Sequence, residues 1–225
     1  EEQTLTNNVN SVHRILKTDI KREPNDQEDE IIFGCGCFWG TEKCFWKLPG
    51  VITTSVGYAG GVKQNPTYYE VCSGLTGHSE VVRVIWNKNE IDISDLLKMF
   101  WECHDPTQKN KQGFDIGTQY RSAIYFKNEI NKTIILASKE QYQKELNKKN
   151  LGLIETEIKM IDTYFYAEQY HQQYLASEGS RQYCSASPTK VKLGSFTGSN
   201  YKLNDYIWEN FNWEVDKCVL RSDNN

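Results

Sequence analysis

The sequence predicts an α+β fold: a two-layer sandwich with a mixed sheet, built on a split βαβ (ferredoxin-like) core with a C-terminal extension. Three observations carry this. Stretches of strand length and amphipathic helical stretches follow one another in the order strand, helix, strand, strand, helix, strand. A further helix, strand and helix come after them, and no internal repeat is present.

Residues 1–30 are polar and acidic, with Val12, Ile15 and Leu16 as the only hint of amphipathic structure, and read as a flexible N-terminal arm that could lie on the body. Ile31-Ile32-Phe33 forms the first buried strand, and the helix from Phe38 to Leu48 ends at Pro49-Gly50. Val51 to Tyr58 is the second strand. A loop over 65–78 combines turn formers with Tyr68 and Tyr69, as working surfaces often do. Glu80 to Trp86 alternates, with Glu80, Val82, Val84 and Trp86 on one face and Val81, Arg83 and Ile85 on the other, so Glu80 heads an apolar face. Asp92 caps a core helix whose Ile93, Leu96, Leu97, Phe100 and Trp101 recur at helical spacing. A second polar loop over 104–117 leads to the strand Tyr120 to Phe126. Residues 129–149 form a long helix with Ile130, Ile134, Tyr142 and Leu146 inward, 155–161 a strand, and 167–177 a tyrosine-rich helix. Residues 31–178 thus make the main α+β domain, and 179–225 a tail that is first Ser- and Gly-rich, then aromatic.

A chain of 225 residues can bury a substantial core without disulfide staples. Its seven cysteines are an odd number scattered over the whole length, which does not suit a secreted disulfide framework and favours a reducing, cytoplasmic setting. The chain does not begin with Met, which leaves room for a removed targeting segment. The net charge of −4 comes from the first 30 residues, which hold eight acidic and four basic side chains. The electroneutral remainder offers no basic surface for nucleic acid, and no apolar run approaches the ~20 residues of a membrane span. A monomer is expected.

The stretch that carries chemistry is Gly34-Cys35-Gly36-Cys37-Phe38-Trp39-Gly40. Cys37 falls where strand becomes helix, where free N–H groups and the helix dipole favour a thiolate, and the glycines allow close approach of another molecule. Phe38 and Trp39 could wall a pocket for a small apolar group. With Glu80, Tyr68, Asp115 and Tyr120 on loops at one sheet end, these residues suit attack by sulfur on a polar centre whose oxygen must be protonated. Glu80, pressed against apolar surface, is the acid. Spacing alone leaves Cys37 open as a small core hydrophobe and Glu80 as a solvated strand end. It also leaves open a thiol hydrolase using His104 or His171, and a non-enzymatic interaction module. Cys35-Gly36-Cys37 has no second Cys or His pair to complete a four-ligand site, so no metal or other cofactor is expected.

The chain resembles the A-type peptide methionine sulfoxide reductases through Gly36-Cys37-Phe38-Trp39-Gly40, Val56-Gly57-Tyr58-Ala59-Gly60-Gly61, Asn65-Pro66-Thr67-Tyr68 and Thr76-Gly77-His78-Ser79-Glu80-Val81-Val82. The likeness continues through His104-Asp105-Pro106-Thr107, Gly117-Thr118-Gln119-Tyr120-Arg121-Ser122 and Tyr166-Ala167-Glu168 with Tyr170-His171-Gln172, covering about residues 31–184. The resemblance implies that Cys37 attacks the sulfoxide sulfur of the S epimer while Glu80 protonates its oxygen, with Tyr68 and Tyr120 as donors and Asp115 ordering water. It implies that Phe38 and Trp39 hold the S-methyl group, a burial worth about 0.8 kcal/mol. It further implies that the resulting sulfenic acid on Cys37 is resolved by Cys184 and that thioredoxin is the reductant. Oxidised proteins or free methionine sulfoxide are the implied substrates. Beyond Cys184 the chain departs from the family pattern: instead of a nearby cysteine, Cys218 lies 34 residues on, as a candidate to relay the disulfide.

Overall fold

The computed structural model describes residues 8–209. Strand β1 (Glu28–Cys35) runs into helix α1 (Phe38–Trp46), followed by β2 (Val51–Ala59), a short α2 (Tyr68–Cys72), β3 (Ser79–Asn87) and α3 (Ile93–Cys103). A two-residue hairpin, β4 (Lys111–Gln112) with β5 (Asp115–Ile116), precedes β6 (Ser122–Phe126), α4 (Asn131–Lys148), β7 (Glu157–Met160), β8 (Phe165–Tyr166) and α5 (Asp205–Glu209). The main sheet has the order β7-β6-β1-β3-β2-β8. β1 is antiparallel to β3 and β6, β3 is antiparallel to β2, and β7 runs parallel to β6. β1 and β2 are therefore parallel strands split by β3, the split βαβ plan, extended by a strand at each edge.

The period-two pattern decides which face is buried. Ile31, Phe33 and Cys35 from β1 and Val82, Val84 and Trp86 from β3 join Phe45, Phe100 and Trp101 from α1 and α3 in one large core. Phe33 lies stacked between Phe45 and Phe100, with centroids 4.7 and 5.1 Å away. The opposite face carries a smaller cluster of Ile32, Ala59, Val81, Ala123 and Tyr125. There Arg83 donates to Glu30 at 2.6 Å with both side chains buried, a pairing that spares either charge isolation from water.

The first strand starts earlier than expected, and the N-terminal arm lies on the body. β1 begins at Glu28 instead of Ile31, and residues 8–27 pack against the body. Val9, His13 and Ile20 are buried. A bridge between Val12 and Asp19 closes a loop, and the Ile20 carbonyl accepts from Arg83 and Tyr166. A few apolar side chains in a polar stretch suffice for docking when they coincide with one buried ring, a signal too sparse for a periodicity argument.

Two helical expectations also change. Ile130 precedes α4 and is 82 % exposed, while Ile135, Ser138, Tyr142 and Leu146 face inward. The predicted helix over 167–177 is two 3₁₀ turns, Gln169–His171 and Tyr174–Ala176, separated by Gln173 in the left-handed region at φ 46°. The cause is a side chain that completes the sheet: Gln172 accepts from the Val56 N–H at 2.9 Å and donates to the Val56 carbonyl at 2.8 Å. Beyond Cys184 the tail lies along the helices, with Leu193 buried and its N–H donated to Glu102, and the N–H groups of Lys202 and Leu203 donated to Asp95.

Candidate active site

β1 delivers Cys37 to the cap position just ahead of α1. Gly36 takes φ +93°, and a Cβ there would stand 2.6 Å from the Cβ of Gln112, so glycine is required by the protein's own packing instead of by an approaching molecule. Cys37 is the N-terminal cap of α1, without a side-chain cap hydrogen bond, and is 8 % exposed.

The same cavity, about 470 Å³, is lined by Cys37, Phe38, Trp39, Tyr68, Glu80, Asp115 and Tyr120. One open chamber thus holds every predicted side chain apart from the two tail cysteines. Tyr174, Arg181 and Tyr183 complete its walls, and sequence reasoning had given them no role.

Glu80 is 2 % exposed at the start of β3. Burial raises its pKa to about 8, a rise that the Phe38 N–H, donated to Oε1 at 3.2 Å, partly offsets and that nearby Asp115 and Glu168 reinforce. The carboxyl therefore keeps its proton at neutral pH. Cys37 departs from expectation. Burial and the neighbouring Glu80 push its thiol well above the usual range, and the N–H groups of Trp39 and Gly40 only partly oppose them. The helix terminus is present, but desolvation outweighs it, so the resting site holds a thiol. Burial also raises Tyr68 and Tyr120, which stay protonated donors. Tyr183 donates to Asp115 Oδ1 at 2.8 Å and is pushed up to about 12 by burial and that bond.

The apolar wall is fixed from behind. Trp39 stacks on Tyr174 with centroids 3.9 Å apart, and its indole N–H donates to His171 Nδ1 at 3.1 Å. Burial lowers the His171 pKa to about 3, so the ring is neutral and can accept. Tyr68 and Phe38 flank the same imidazole at 4.6 and 5.1 Å. Glu168 ties this wall to its neighbours by accepting from the Tyr58 hydroxyl at 3.0 Å and the Tyr68 N–H at 3.1 Å.

Among the described residues no histidine lines the cavity, which removes the Cys–His pair a thiol hydrolase would need. His104, the other candidate, has both nitrogens committed, at 2.7 Å each to the Phe100 carbonyl and the Ser122 hydroxyl. It lies within 4.8 Å of Cys35 and Cys103. A metal there would have to displace the Nδ1 hydrogen that the Phe100 carbonyl requires, so the group fits a thiol-rich core better than a centre. Cys184 is disulfide-bonded and Cys37 is a free thiol. Cys184 does not line the cavity, although its neighbour Tyr183 does. Cys218 lies outside the described residues.

A neutral thiol beside a proton-bearing carboxyl, with phenols on one side and an aromatic slot on the other, can deliver sulfur to a polar centre and a proton to its oxygen. Similarity points the same way. The chain is 51% identical over 183 residues to the peptide methionine sulfoxide reductase MsrA of Vibrio vulnificus, covering 81% of this chain and 87% of that one. It is 55% identical over 164 residues to MsrA of Pseudomonas aeruginosa, covering 73% and 76%. The solved methionine sulfoxide reductase A of Corynebacterium diphtheriae superposes with a TM-score of 0.70 at 39% identity, covering 83% of this chain and 90% of that chain. Since the family profile described as peptide methionine sulfoxide reductase also matches residues 29–202, which include every residue around the cavity, this chain belongs to that family of enzymes.

Proposed function

We propose that the enzyme reduces the S epimer of methionine sulfoxide, free or in oxidised proteins, by direct attack of Cys37 on sulfur. The observation that carries this reading is the burial of Glu80 in the same cavity as Cys37, which raises its pKa so that it can hold a proton there. Glu80 gives its proton to the sulfoxide oxygen as the Cys37 sulfur attacks, and the thiol proton returns to Glu80. The attack joins the Cys37 and methionine sulfurs; as that bond and the S–O bond to methionine break, the hydroxyl passes to the Cys37 sulfur as a sulfenic acid and methionine leaves reduced. Tyr68 and Tyr120 donate to the oxygen as charge develops on it, and Asp115 orders water through the polar side of the cavity.

With its own disulfide first reduced, Cys184 condenses as a thiol with the sulfenic acid, releasing water and leaving a Cys37–Cys184 disulfide. Two contacts support its access: Ser185, the next residue, passes within 3.3 Å of where a Gly36 Cβ would stand, and Tyr183 reaches Asp115. Cys218 is the proposed relay by thiol–disulfide exchange, and thioredoxin the final reductant. The same reading makes the enzyme a cytoplasmic monomer that repairs oxidised proteins. No helix among the described residues is long and apolar enough to cross a membrane.

Epimer choice follows from the asymmetry of the slot. With the methyl group held against Phe38 and Trp39, only one configuration turns its oxygen to Glu80. Separate assays with S- and R-epimers of N-acetylmethionine sulfoxide, with thioredoxin as the reductant, are expected to show turnover of S and at least ~100-fold less of R. Comparable rates would remove the slot as the source of orientation.

A further inference from the structure

The wall that carries His171 and Tyr174 is held from outside by the N-terminal segment, which precedes residues 29–202 matched by the family profile. His13 is fully buried under α1. Its Nδ1 accepts the N–H groups of Ile15 at 3.1 Å and Leu16 at 2.9 Å, which fixes the hydrogen on Nε2. That N–H donates to Thr54 Oγ1 at 2.8 Å, and the Thr54 hydroxyl donates to Glu42 Oε1 at 3.0 Å. Glu42 in turn accepts both the backbone N–H and the side-chain amide of Gln173, at 2.9 and 2.7 Å. Gln173 Oε1 accepts the Arg14 N–H at 3.2 Å, and Gln169 Oε1 accepts the Asn10 N–H.

The arm therefore grips the loop at two points, Gln169 and Gln173, which bracket His171, with Gln173 immediately before Tyr174. Gln173 holds a left-handed backbone, a conformation a non-glycine residue keeps only when its surroundings impose it. The imposed turn aims Tyr174 at the Trp39 indole and brings His171 to its N–H.

We infer that residues 8–20 are a brace for substrate binding, with His13 a positioning residue that acts through Thr54, Glu42 and Gln173 on the Trp39 wall. The inference rests on the reductase reading. Its function is to keep the aromatic slot pre-formed, so that loss of the brace weakens binding of the sulfoxide more than it slows the chemical step.

The test uses the full chain with S-epimer N-acetylmethionine sulfoxide as probe, at a temperature where circular dichroism shows every variant folded. His13→Leu is expected to raise KM ~5-fold or more while kcat stays within about twofold, and His13→Gln, which keeps a donor toward Thr54, to recover most of the loss. In a Trp39→Phe background, which already lacks the indole N–H, His13→Leu should change KM less than ~2-fold, because the two act on one element. Should His13→Leu fail to fold, Gln169→Ala, a half-buried position at the other grip, is expected to raise KM ~2-fold or more. Unchanged KM in the folded variants, or a full-sized effect that persists beside Trp39→Phe, overturns the brace. A wild-type chain that forms no methionine would instead overturn the reductase reading itself, so the two failures are distinct.

Discussion

Replacing Cys37 by Ser is expected to bring methionine formation below detection, whatever the reductant. A serine hydroxyl fills nearly the same space at the head of α1, but it neither attacks sulfur at neutral pH nor accepts its oxygen in a recyclable form. Stability should change by no more than about 1 kcal/mol, because the thiol makes no side-chain cap to lose. Binding should survive, since the slot and the acid remain. Isothermal titration of the variant with the S-epimer sulfoxide, beside a single-turnover assay, separates the two. Retained binding without product is the expected pair of results, and residual turnover would move the nucleophile elsewhere.

The second large effect belongs to Glu80. Glu80→Gln keeps the shape of the side chain but removes the transferable proton, and should lower the rate by a factor of about 10² to 10⁴. In the wild type the acid is lost as pH rises through about 8, so the rate of the sulfoxide step should fall on that limb, and the variant should lack it. The stability prediction has a definite sign. The folded state holds this proton from the ordinary carboxylate range up to about 8 while the unfolded chain has released it, so wild-type stability declines with rising pH across that window. Glu80→Gln removes the decline, which makes the variant relatively more stable near pH 8, by about 3–5 kcal/mol. Denaturant titrations at pH 5 and pH 8 read this directly, and a parallel loss in both proteins would remove Glu80 as its source.

Much of this was legible in the chain because it depended on short-range patterns. Alternation along β3 put Glu80 on the same face as Val82, Val84 and Trp86, and that is the face turned to the large core. The strand-to-helix change put Cys37 at a helix terminus. Asp92 closed a capping box with Asp95, as the first apolar repeat of α3 required. What failed depended on distant partners. Nothing in residues 167–177 shows that Gln172 will bond Val56 more than a hundred positions away, or that Glu168 will gather three donors. The Thr67 and Glu70 capping box of α2 was within reach of the sequence, but the density of turn residues around it masked five helical positions. The thiol is the instructive error. Helix position was counted, while the depth of burial and the adjacent carboxyl, which only packing determines, were not.

On the proposed mechanism, a resting thiol keeps Cys37 from reacting before substrate arrives. With both protons in place, Cys37 is a poor nucleophile until a polarised sulfoxide draws the Glu80 proton. Chemistry is then tied to occupancy of the slot.

The account stands on one transfer, that of oxygen from substrate to Cys37. The most direct test takes fully reduced enzyme carrying Cys184→Ser and Cys218→Ser, adds excess S-epimer N-acetylmethionine sulfoxide labelled with heavy oxygen and no reductant, and traps sulfenic acid with a 1,3-dione in a parallel sample. About one methionine per chain, heavy oxygen retained on the protein, and the trap on the peptide bearing Cys37 are the predicted results. Heavy oxygen found in water from the start would contradict that transfer, and the trap on another residue would contradict attack by Cys37.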